Sequence, residues 1–426
     1  MMKLVFGAAV SAAAVLHGQL AFADVYGDPN APMTITWVTQ PTQSPEAGNE
    51  RYASYYKGKI EAFVAAHPEV KVDVTLNSNN GNAGMTKLLE QLAIGQGPDF
   101  ATIDSFFVKR FLPYLTPMND YYTEEEVNDF FPFAREAMVV DGKLKAFWVN
   151  TDVRNIYYRK DLVATPPKTW DELLEVAGKL SEEGHTGYIF PAGRGEAAVM
   201  EHLPMFWAQG GELIDEDGKP VFGEGANRDA WINVLTFMRK AVESGASPNR
   251  VANFGSESDM QPELARGNTA IFLGGCWMMS ELKSLGDQND WGVADIPLMT
   301  EGKPITAVGG WMTGVFTDNA DKLPFIAELQ KMLQTSPEAM DELAVVRDDL
   351  PTRASVVKMG SPYFQDPLNI AYMEMLEFGR PRPSSVIYPT ISVELQVAIS
   401  DVVTGAKSPA DALDAAFDKV MAQYKP

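Results

Sequence analysis

Cysteine is nearly absent from this chain, because Cys276 is the only one among 426 residues. A single cysteine excludes an intrachain disulfide framework. A chain of this length exceeds a typical single domain and can bury enough apolar surface to fold without covalent cross-links. We therefore predict two or more domains that are stabilised by their hydrophobic cores.

Basic residues are also scarce, since 35 Lys and Arg stand against 57 Asp and Glu, which gives a formal charge of −22. Binding to nucleic acid depends on a basic surface that displaces counterions from phosphates. The charge argues against such a partner, and for the same reason against an anionic membrane surface. We expect neither nucleic-acid binding nor direct insertion into a membrane.

Long hydrophobic runs are missing except for one short stretch near the start. Lys3 precedes the apolar residues 4–16, and Ala21-Phe22-Ala23 then leads to Asp24. A charged start, a short apolar middle and a small-x-small site are typical of a secretory signal peptide, and the run is shorter than the ~20 residues of a membrane span. We predict a signal peptide over residues 1–23, a mature start at Asp24 and, because no cysteine is near, no lipid anchor.

Catalytic motifs are missing as well. The sequence contains no Gly-x-Ser-x-Gly, no phosphate-binding loop with Lys-Ser/Thr and no pair of histidines at zinc-ligand spacing. Gly193-Arg194-Gly195 lacks the third glycine of a dinucleotide fingerprint, and Asp215–Gly218 lacks the later ligands of a calcium loop. We predict no metal, no cofactor and no enzymatic activity.

Paired carboxylates leave one enzymatic alternative open. Asp104 with Asp152, or Glu196 with Glu201, could act as acid and base on a glycosidic bond. With 57 acidic residues such pairs are common. A secreted glycosidase is therefore the weakest of the alternatives.

Alternating and helical patterns follow one another along the chain. Alternating or continuous apolar residues predict strands over 33–38, 70–76 and 100–103. Between these strands, apolar residues recur at helical spacing over 49–66 and 85–94. Thr169 with Glu172 forms a capping box at the start of a further helix. Further helices are expected over 195–208, 228–244, 258–266 and 276–285, and in the mainly helical tail over 322–334, 337–346, 368–378, 389–404 and 409–424. This order predicts an α/β protein with a largely parallel sheet.

Several motifs together resemble the bacterial extracellular solute-binding proteins of the sugar-binding family, which are periplasmic receptors of ATP-driven importers and include the maltose-binding protein. The most specific is Pro166-Pro167-Lys168-Thr169-Trp170-Asp171-Glu172-Leu173. The others occur in the family's order: 63–72, 87–100, 141–143 with 157–162, 210–213, 274–277, 308–310, 350–353 and 404–413.

The resemblance implies two α/β lobes with discontinuous domains, joined by a hinge, that close on a ligand. Lobe I would comprise 24–149 and 298–348, and lobe II 150–297 and 349–426, with crossings near 148–151, 296–299 and 347–351. It further implies a monomer in the periplasm that binds a small carbohydrate and delivers it to the permease subunits of an ABC importer.

A sugar presents apolar C–H faces and a rim of hydroxyls, so its site needs aromatic rings and fixed polar groups, of which carboxylates bond most strongly. From the resemblance and from positions at strand ends and glycine breaks, we predict the ligand-binding residues Gln40, Asp104, Ser105, Trp148, Asp152, Arg194, Trp277, Gly310, Trp311, Arg353 and Tyr388. Trp148 stands where the family often has proline. For each residue an ordinary role in packing, capping or ion pairing is the alternative.

The charge of the ligand stays open at this point. Arg353 and Arg194 suggest an anionic or polyol ligand such as an acidic sugar or a glycerol phosphate, because arginine pairs bidentately with such anions. The glycine-flanked Trp277 and Trp311 favour a neutral sugar or oligosaccharide.

Overall fold

The structure, a computed structural model, describes residues 24–77, 81–287, 289–300 and 302–425. The predicted signal peptide, 1–23, lies outside the described residues. Within them, no helix is both long and apolar enough to cross a membrane.

The strands, numbered in chain order, are β1 (Asp24–Tyr26), β2 (Met33–Thr39), β3 (Val70–Leu76), β4 (Phe100–Asp104), β5 (Val139–Val140), β6 (Lys143–Leu144), β7 (Ala146–Asn150), β8 (Arg154–Arg159), β9 (Thr186–Ile189), β10 (Thr269–Gly275), β11 (Trp291–Ala294), β12 (Thr306–Val308), β13 (Trp311–Val315) and β14 (Gly379–Pro381).

The α-helices are α1 (Glu50–Ala66), α2 (Gly81–Ala93), α3 (Val108–Phe111), α4 (Glu124–Asn128), α5 (Pro132–Met138), α6 (Trp170–Glu182), α7 (Glu196–Met200), α8 (Leu203–Trp207), α9 (Gly225–Glu243), α10 (Gln261–Leu264), α11 (Met278–Ser284), α12 (Leu323–Gln330), α13 (Pro337–Arg347), α14 (Ala354–Lys358), α15 (Pro367–Met375), α16 (Tyr388–Val403) and α17 (Pro409–Gln423).

The larger sheet has the order β1-β3-β2-β4-β13-β7. Its centre, β3-β2-β4, is parallel, as the strand–helix alternation predicts. The prediction of a largely parallel sheet is wrong at the flanks, because β1 pairs antiparallel with β3, and β13 pairs antiparallel with both β4 and β7. Strand β13 comes from a distant segment and enters the sheet in the opposite direction, which local periodicity does not reveal.

The smaller sheet has the order β11-β8-β10-β9, and the chain passes to it directly after β7. Strand β7 ends at Asn150 in the larger sheet, and β8 begins at Arg154 in the smaller one. Between them, Thr151 exchanges two backbone hydrogen bonds with Leu350, of 2.8 and 3.1 Å. Two segments that run between the sheets are thus fastened to each other, and the fold has two lobes.

Local sequence signals explain some helix ends. Thr169 and Glu172 form the predicted capping box at the start of α6. The single helix predicted over 195–208 is wrong, because α7 ends at Met200 and α8 starts at Leu203 with Pro204 in its first turn. Proline lacks the N–H that a continuous helix requires there. The helix predicted over 258–266 is likewise shorter, since a 3₁₀ turn precedes α10.

Stacked aromatic rings pack against each of the two sheets. In the larger sheet Trp37 stacks on Phe100 with ring centroids 5.6 Å apart. In the smaller sheet Tyr157 stacks on Phe272 at 4.5 Å, and the Trp170 indole donates a hydrogen bond of 2.9 Å to the carbonyl of Pro297. Both stacks belong to one continuous cluster of buried apolar side chains that extends across the two sheets.

Candidate functional site

A buried arginine joins the two lobes where β4 ends. Arg382 Nη2 lies 3.0 Å from Asp104 Oδ1, at the end of the larger sheet, and its Nη1 lies 3.0 Å from Glu196 Oε1, at the start of α7. Its guanidinium also stacks over the Phe106 ring at 4.2 Å from the centroid. One arginine thus has carboxylate partners on both sides of the interlobe cleft.

The first turn of α16 holds Glu196 in place. The Tyr388 hydroxyl donates a hydrogen bond of 2.6 Å to Glu196 Oε1, and the Ser392 hydroxyl donates to Oε2. The Tyr388 ring packs edge-on against Phe106, with centroids 5.2 Å apart. Glu196 therefore has a fixed position, with hydroxyl donors on one side and Arg382 on the other.

A second arginine lies beside the first, at the start of β8. Arg154 Nη1 lies 2.6 Å from Asp152 Oδ1, and its Nε lies 2.8 Å from Oε1 of the fully buried Glu201. The Trp277 ring lies 4.5 Å from the same guanidinium. We name Asp104, Asp152, Arg154, Glu196, Glu201 and Arg382 the cleft cluster.

Two glycines bring the backbone against this cluster. The Gly309 amide donates a hydrogen bond of 2.8 Å to Asp152 Oδ1, and a Cβ on Gly309 would lie 3.0 Å from Arg382 Nη2. Gly310 has φ of 120°, and a Cβ there would lie 2.0 Å from the Asn150 carbonyl oxygen. The close approach explains why this segment contains glycine in both positions.

The same glycine segment binds to the larger sheet. The Ser105 amide donates to the Gly310 carbonyl at 3.2 Å, and the Trp148 indole donates to the Gly309 carbonyl at 3.2 Å. Trp311 follows at a register shift between β13 and β7, and its amide donates to Asn150 Oδ1 at 3.2 Å. Trp311 is the first residue of β13 and is half-buried.

Burial changes the acidity of two carboxyl groups in the cleft cluster. Burial raises the pKa of Asp104 to about 6, with Arg382 opposing the rise and Glu196 adding to it. Burial likewise raises the pKa of Glu201 well above its usual value, with Arg154 opposing and Glu257 adding. The ionised form of both carboxyl groups is disfavoured because burial removes it from water.

Most of the predicted ligand-binding residues meet around the cleft cluster. Asp104, Ser105, Asp152, Trp277, Gly310, Trp311 and Tyr388 surround it in the contacts described above. Gln40 directly follows β2, the parallel neighbour of β4, and its buried Nε2 has no hydrogen-bond partner within the described residues. Trp148 is buried and packs edge-on against Phe133, with ring centroids 5.1 Å apart, so it lies behind the glycine segment.

The two arginines that suggested an anionic ligand do not pair with the cleft cluster. Arg353 Nη1 lies 3.2 Å from Asp129 Oδ2 and donates 2.9 Å to the carbonyl of Glu126, while its guanidinium stacks on Phe130. Arg194 is exposed to solvent. Neither of them has a hydrogen bond or ion pair with the cleft cluster among the described residues.

Sequence reasoning missed the two arginines that do occupy the cleft. Arg382 lies in Arg-Pro-Arg-Pro and Arg154 in the crossing after Asp152, without a recognisable motif. From the sequence, Glu196 and Glu201 suggest only a catalytic pair; in the structure Glu196 starts α7 and Glu201 directly follows its last residue. Their partners come from distant segments, which the sequence alone does not bring together.

The cluster can hold a polar guest by hydrogen bonds and ring contacts. Carboxylate oxygens and hydroxyls can hydrogen-bond to the hydroxyl groups of a ligand, and the half-buried ring of Trp277 offers an apolar face. Among the described residues, no group of three or more His, Cys, Asp or Glu side chains is arranged to hold a metal ion.

Comparison with known proteins agrees with this architecture. The family model "Bacterial extracellular solute-binding protein" matches residues 47–333, more than half of the chain. The maltotriose-binding protein of Pyrococcus abyssi is 23% identical over 360 residues, covering 83% of this chain and 75% of that protein. A probable ABC transporter-binding protein of Deinococcus radiodurans is 27% identical over 319 residues, covering 70% and 74%.

A solved structure shows the same fold. T. maritima MalE3, described with maltose bound, has a TM-score of 0.80 at 23% identity and covers 92% of this chain and 100% of its own. The chain belongs to the family of bacterial extracellular solute-binding proteins.

Proposed function

We propose that this protein is the receptor of an ATP-driven importer and captures a neutral sugar or oligosaccharide between its lobes. The observation that carries the proposal is the cleft cluster, where carboxylates and aromatic rings from both lobes converge. The relatives named for maltotriose, and the similar fold described with maltose, support a carbohydrate ligand. The Deinococcus relative supports an ABC transporter as the partner.

The charge of the cleft cluster favours a neutral ligand over an anionic one. Arg382 and Arg154 each already have two carboxylate partners. Four carboxylates and two guanidiniums form the cluster, so an added anion would meet a negative surplus and would have to displace an existing ion pair. Hydroxyl groups can instead bond to the carboxylates without breaking these pairs.

Ligand capture by closure needs a bistable hinge. A shift from 1:99 to 99:1 in favour of the closed form requires ~5.5 kcal/mol of differential binding, and a micromolar ligand supplies ~8 kcal/mol in total. We propose that Thr151 and Leu350, with their paired backbone bonds, form part of that hinge. No bond in the ligand is made or broken, so the protein is not an enzyme.

The limits of the lobes are part of the proposal. We propose 24–149 and 310–348 for lobe I, and 150–309 with 349–426 for lobe II. The second crossing is best placed at Gly309–Gly310 rather than 296–299. Leu298 still exchanges backbone hydrogen bonds with Lys168 and Trp170, and Thr306 bonds to Arg154, so the chain accompanies the smaller sheet up to that point.

The location and the partners follow from the same role. We propose that residues 1–23 direct export, that the protein works as a monomer in the periplasm, and that the closed form docks on the permease subunits. An extracellular solute-binding family supports export.

A thermal-shift panel tests the proposal. We expect a maltodextrin series to stabilise the protein, by ~2.7 kcal/mol at one hundred times Kd. Gluconate, glucuronate and glycerol phosphate serve as anionic counterparts and should shift the melting temperature less. Chromatography of the recovered sugar should show it unchanged. Absence of stabilisation by any sugar, or a chemically altered sugar, would contradict the proposal.

A further inference from the structure

A second contact joins the lobes outside the cleft cluster, through helix α11. This helix comes directly after β10 in lobe II, yet two of its side chains bond to lobe I. The Tyr52 hydroxyl of α1 donates a hydrogen bond of 3.3 Å to Glu281 Oε1, and Lys283 Nζ lies 3.6 Å from Oδ2 of Asp348, at the end of α13. We name Tyr52, Glu281, Lys283 and Asp348 the α11 bridge.

Both partners in lobe I are held in fixed positions. The Arg347 guanidinium stacks over the Tyr52 ring, 4.6 Å from its centroid, and its Nε lies 2.7 Å from Asp349 Oδ2. Tyr52 is 3% exposed, so its ring is packed on almost all sides. Asp348 has φ of 54°, a left-handed conformation that persists in a residue with a side chain only where the surrounding structure holds it. The lobe I side of the bridge is therefore preformed.

Glu281 receives hydrogen bonds from both lobes. Gln261 Nε2, in α10 of the same lobe, donates a hydrogen bond of 3.0 Å to Oε2, and Tyr52 of the other lobe donates to Oε1. Burial raises the pKa of Glu281, and the Tyr52 hydroxyl opposes the rise. Without that hydroxyl the carboxylate would lose a donor while it stays partly shielded from water, which is unfavourable for a charged group.

The α11 bridge depends on the angle between the lobes. Motion at the proposed hinge carries α11 with lobe II, and α1 and α13 with lobe I. Opening therefore separates Tyr52 from Glu281 and Lys283 from Asp348, whereas the hydrogen bond from Gln261 stays inside lobe II. None of the four bridge residues belongs to the cleft cluster or to the predicted ligand contacts. The bridge can thus respond to closure without contacting the ligand.

We propose that the α11 bridge is a latch, formed in the closed arrangement alone, that slows release of the ligand without touching it. The inference rests on the proposed function, because a latch of this kind acts only if the ligand is captured by closure. A bond that stabilises the closed form contributes the same factor to the affinity of every ligand, since it favours closure and takes no part in recognition. Tyr52 and Glu281 are therefore positioning residues.

A matched pair of tyrosine variants tests the latch. Tyr52→Phe removes the hydroxyl that bonds to Glu281 across the lobes, whereas Tyr55→Phe, on the same helix, removes a hydroxyl that donates 2.8 Å to the carbonyl of Leu333 inside lobe I. Affinity is measured by calorimetry and release by stopped-flow fluorescence, with each sugar of the maltodextrin panel that stabilises the parent. We expect Tyr52→Phe to release every sugar faster by one common factor, about tenfold, and Tyr55→Phe to stay within about twofold of the parent.

A conservative replacement of Glu281 separates the latch from a packing defect. Glu281→Gln keeps an oxygen that accepts from Tyr52 and should release sugar within about threefold of the parent rate, whereas Glu281→Ala should release it about tenfold faster. Glu281→Ala also carries the test if Tyr52→Phe does not fold. Losses that differ from sugar to sugar, equal release rates in the two tyrosine variants, or no rescue by glutamine would overturn the latch. A parent protein that binds no sugar would refute the proposed function instead.

Discussion

Replacing Asp104 with asparagine removes a buried carboxylate from the cleft and keeps the shape of the side chain. Burial raises the pKa of Asp104 from 3.8 to about 6, so between these values the folded protein holds a proton that the unfolded chain releases. The free energy of unfolding therefore falls as pH rises through this window, by ~3 kcal/mol for this group. Asparagine cannot ionise, so the variant lacks this loss.

The measurement is urea unfolding of parent and variant from pH 4 to pH 7.5. Relative to the parent, Asp104→Asn should gain ~2–3 kcal/mol of unfolding free energy between pH 4 and pH 7. Asp290→Asn, which removes the exposed partner of Lys160, is the control and should show a nearly constant difference. A difference for Asp104→Asn that does not change with pH would refute the reasoning about its burial.

Three further substitutions test the other parts of the site. Arg382→Met should lower the free energy of unfolding at pH 7 by ~3–5 kcal/mol, because it leaves two buried carboxylates without their partner, and urea unfolding measures this. Gly310→Ala should cost at least ~2 kcal/mol through backbone strain and the clash with Asn150, whereas Gly48→Ala, in open space, should stay within ~0.5 kcal/mol. Arg353→Gln should lower the free energy of unfolding by ~3 kcal/mol. Sugar affinity, measured by calorimetry, should stay within about twofold of the parent. A selective loss of anion binding would instead restore the hypothesis of an anionic ligand.

Local signals in the sequence predicted those elements whose cause is local. The capping box of Thr169 and Glu172 starts α6 as expected, because both partners lie within one turn. The course of β13 was not predictable in the same way, since its neighbours β4 and β7 are encoded far from it. The break between α7 and α8 could have been read from Pro204, whose missing N–H ends a continuous helix.

In the candidate site too, residues with a local sequence signal could be predicted, and residues that depend on distant partners could not. Asp104 could be predicted because it follows a strand that the apolar pattern identifies. The two glycines before Trp311 indicate a close approach of the backbone. The positions of Arg382 and Arg154 in the cleft could not be predicted from the sequence, because the carboxylates that pair with them come from other segments of the chain. Arg353 was a reasonable candidate by chemistry, yet Asp129 binds it outside the cleft. Residue type suggests what a side chain can bind, and only the fold decides what it meets.

The most direct test of the account is a crystal structure with the sugar that gives the largest thermal shift. We predict a single unaltered carbohydrate between the lobes, with hydroxyls within hydrogen-bonding distance of carboxylates of the cleft cluster and one ring face on Trp277 or Trp311. A sugar bound outside the interlobe cleft, or contacting one lobe alone, would contradict the central claim.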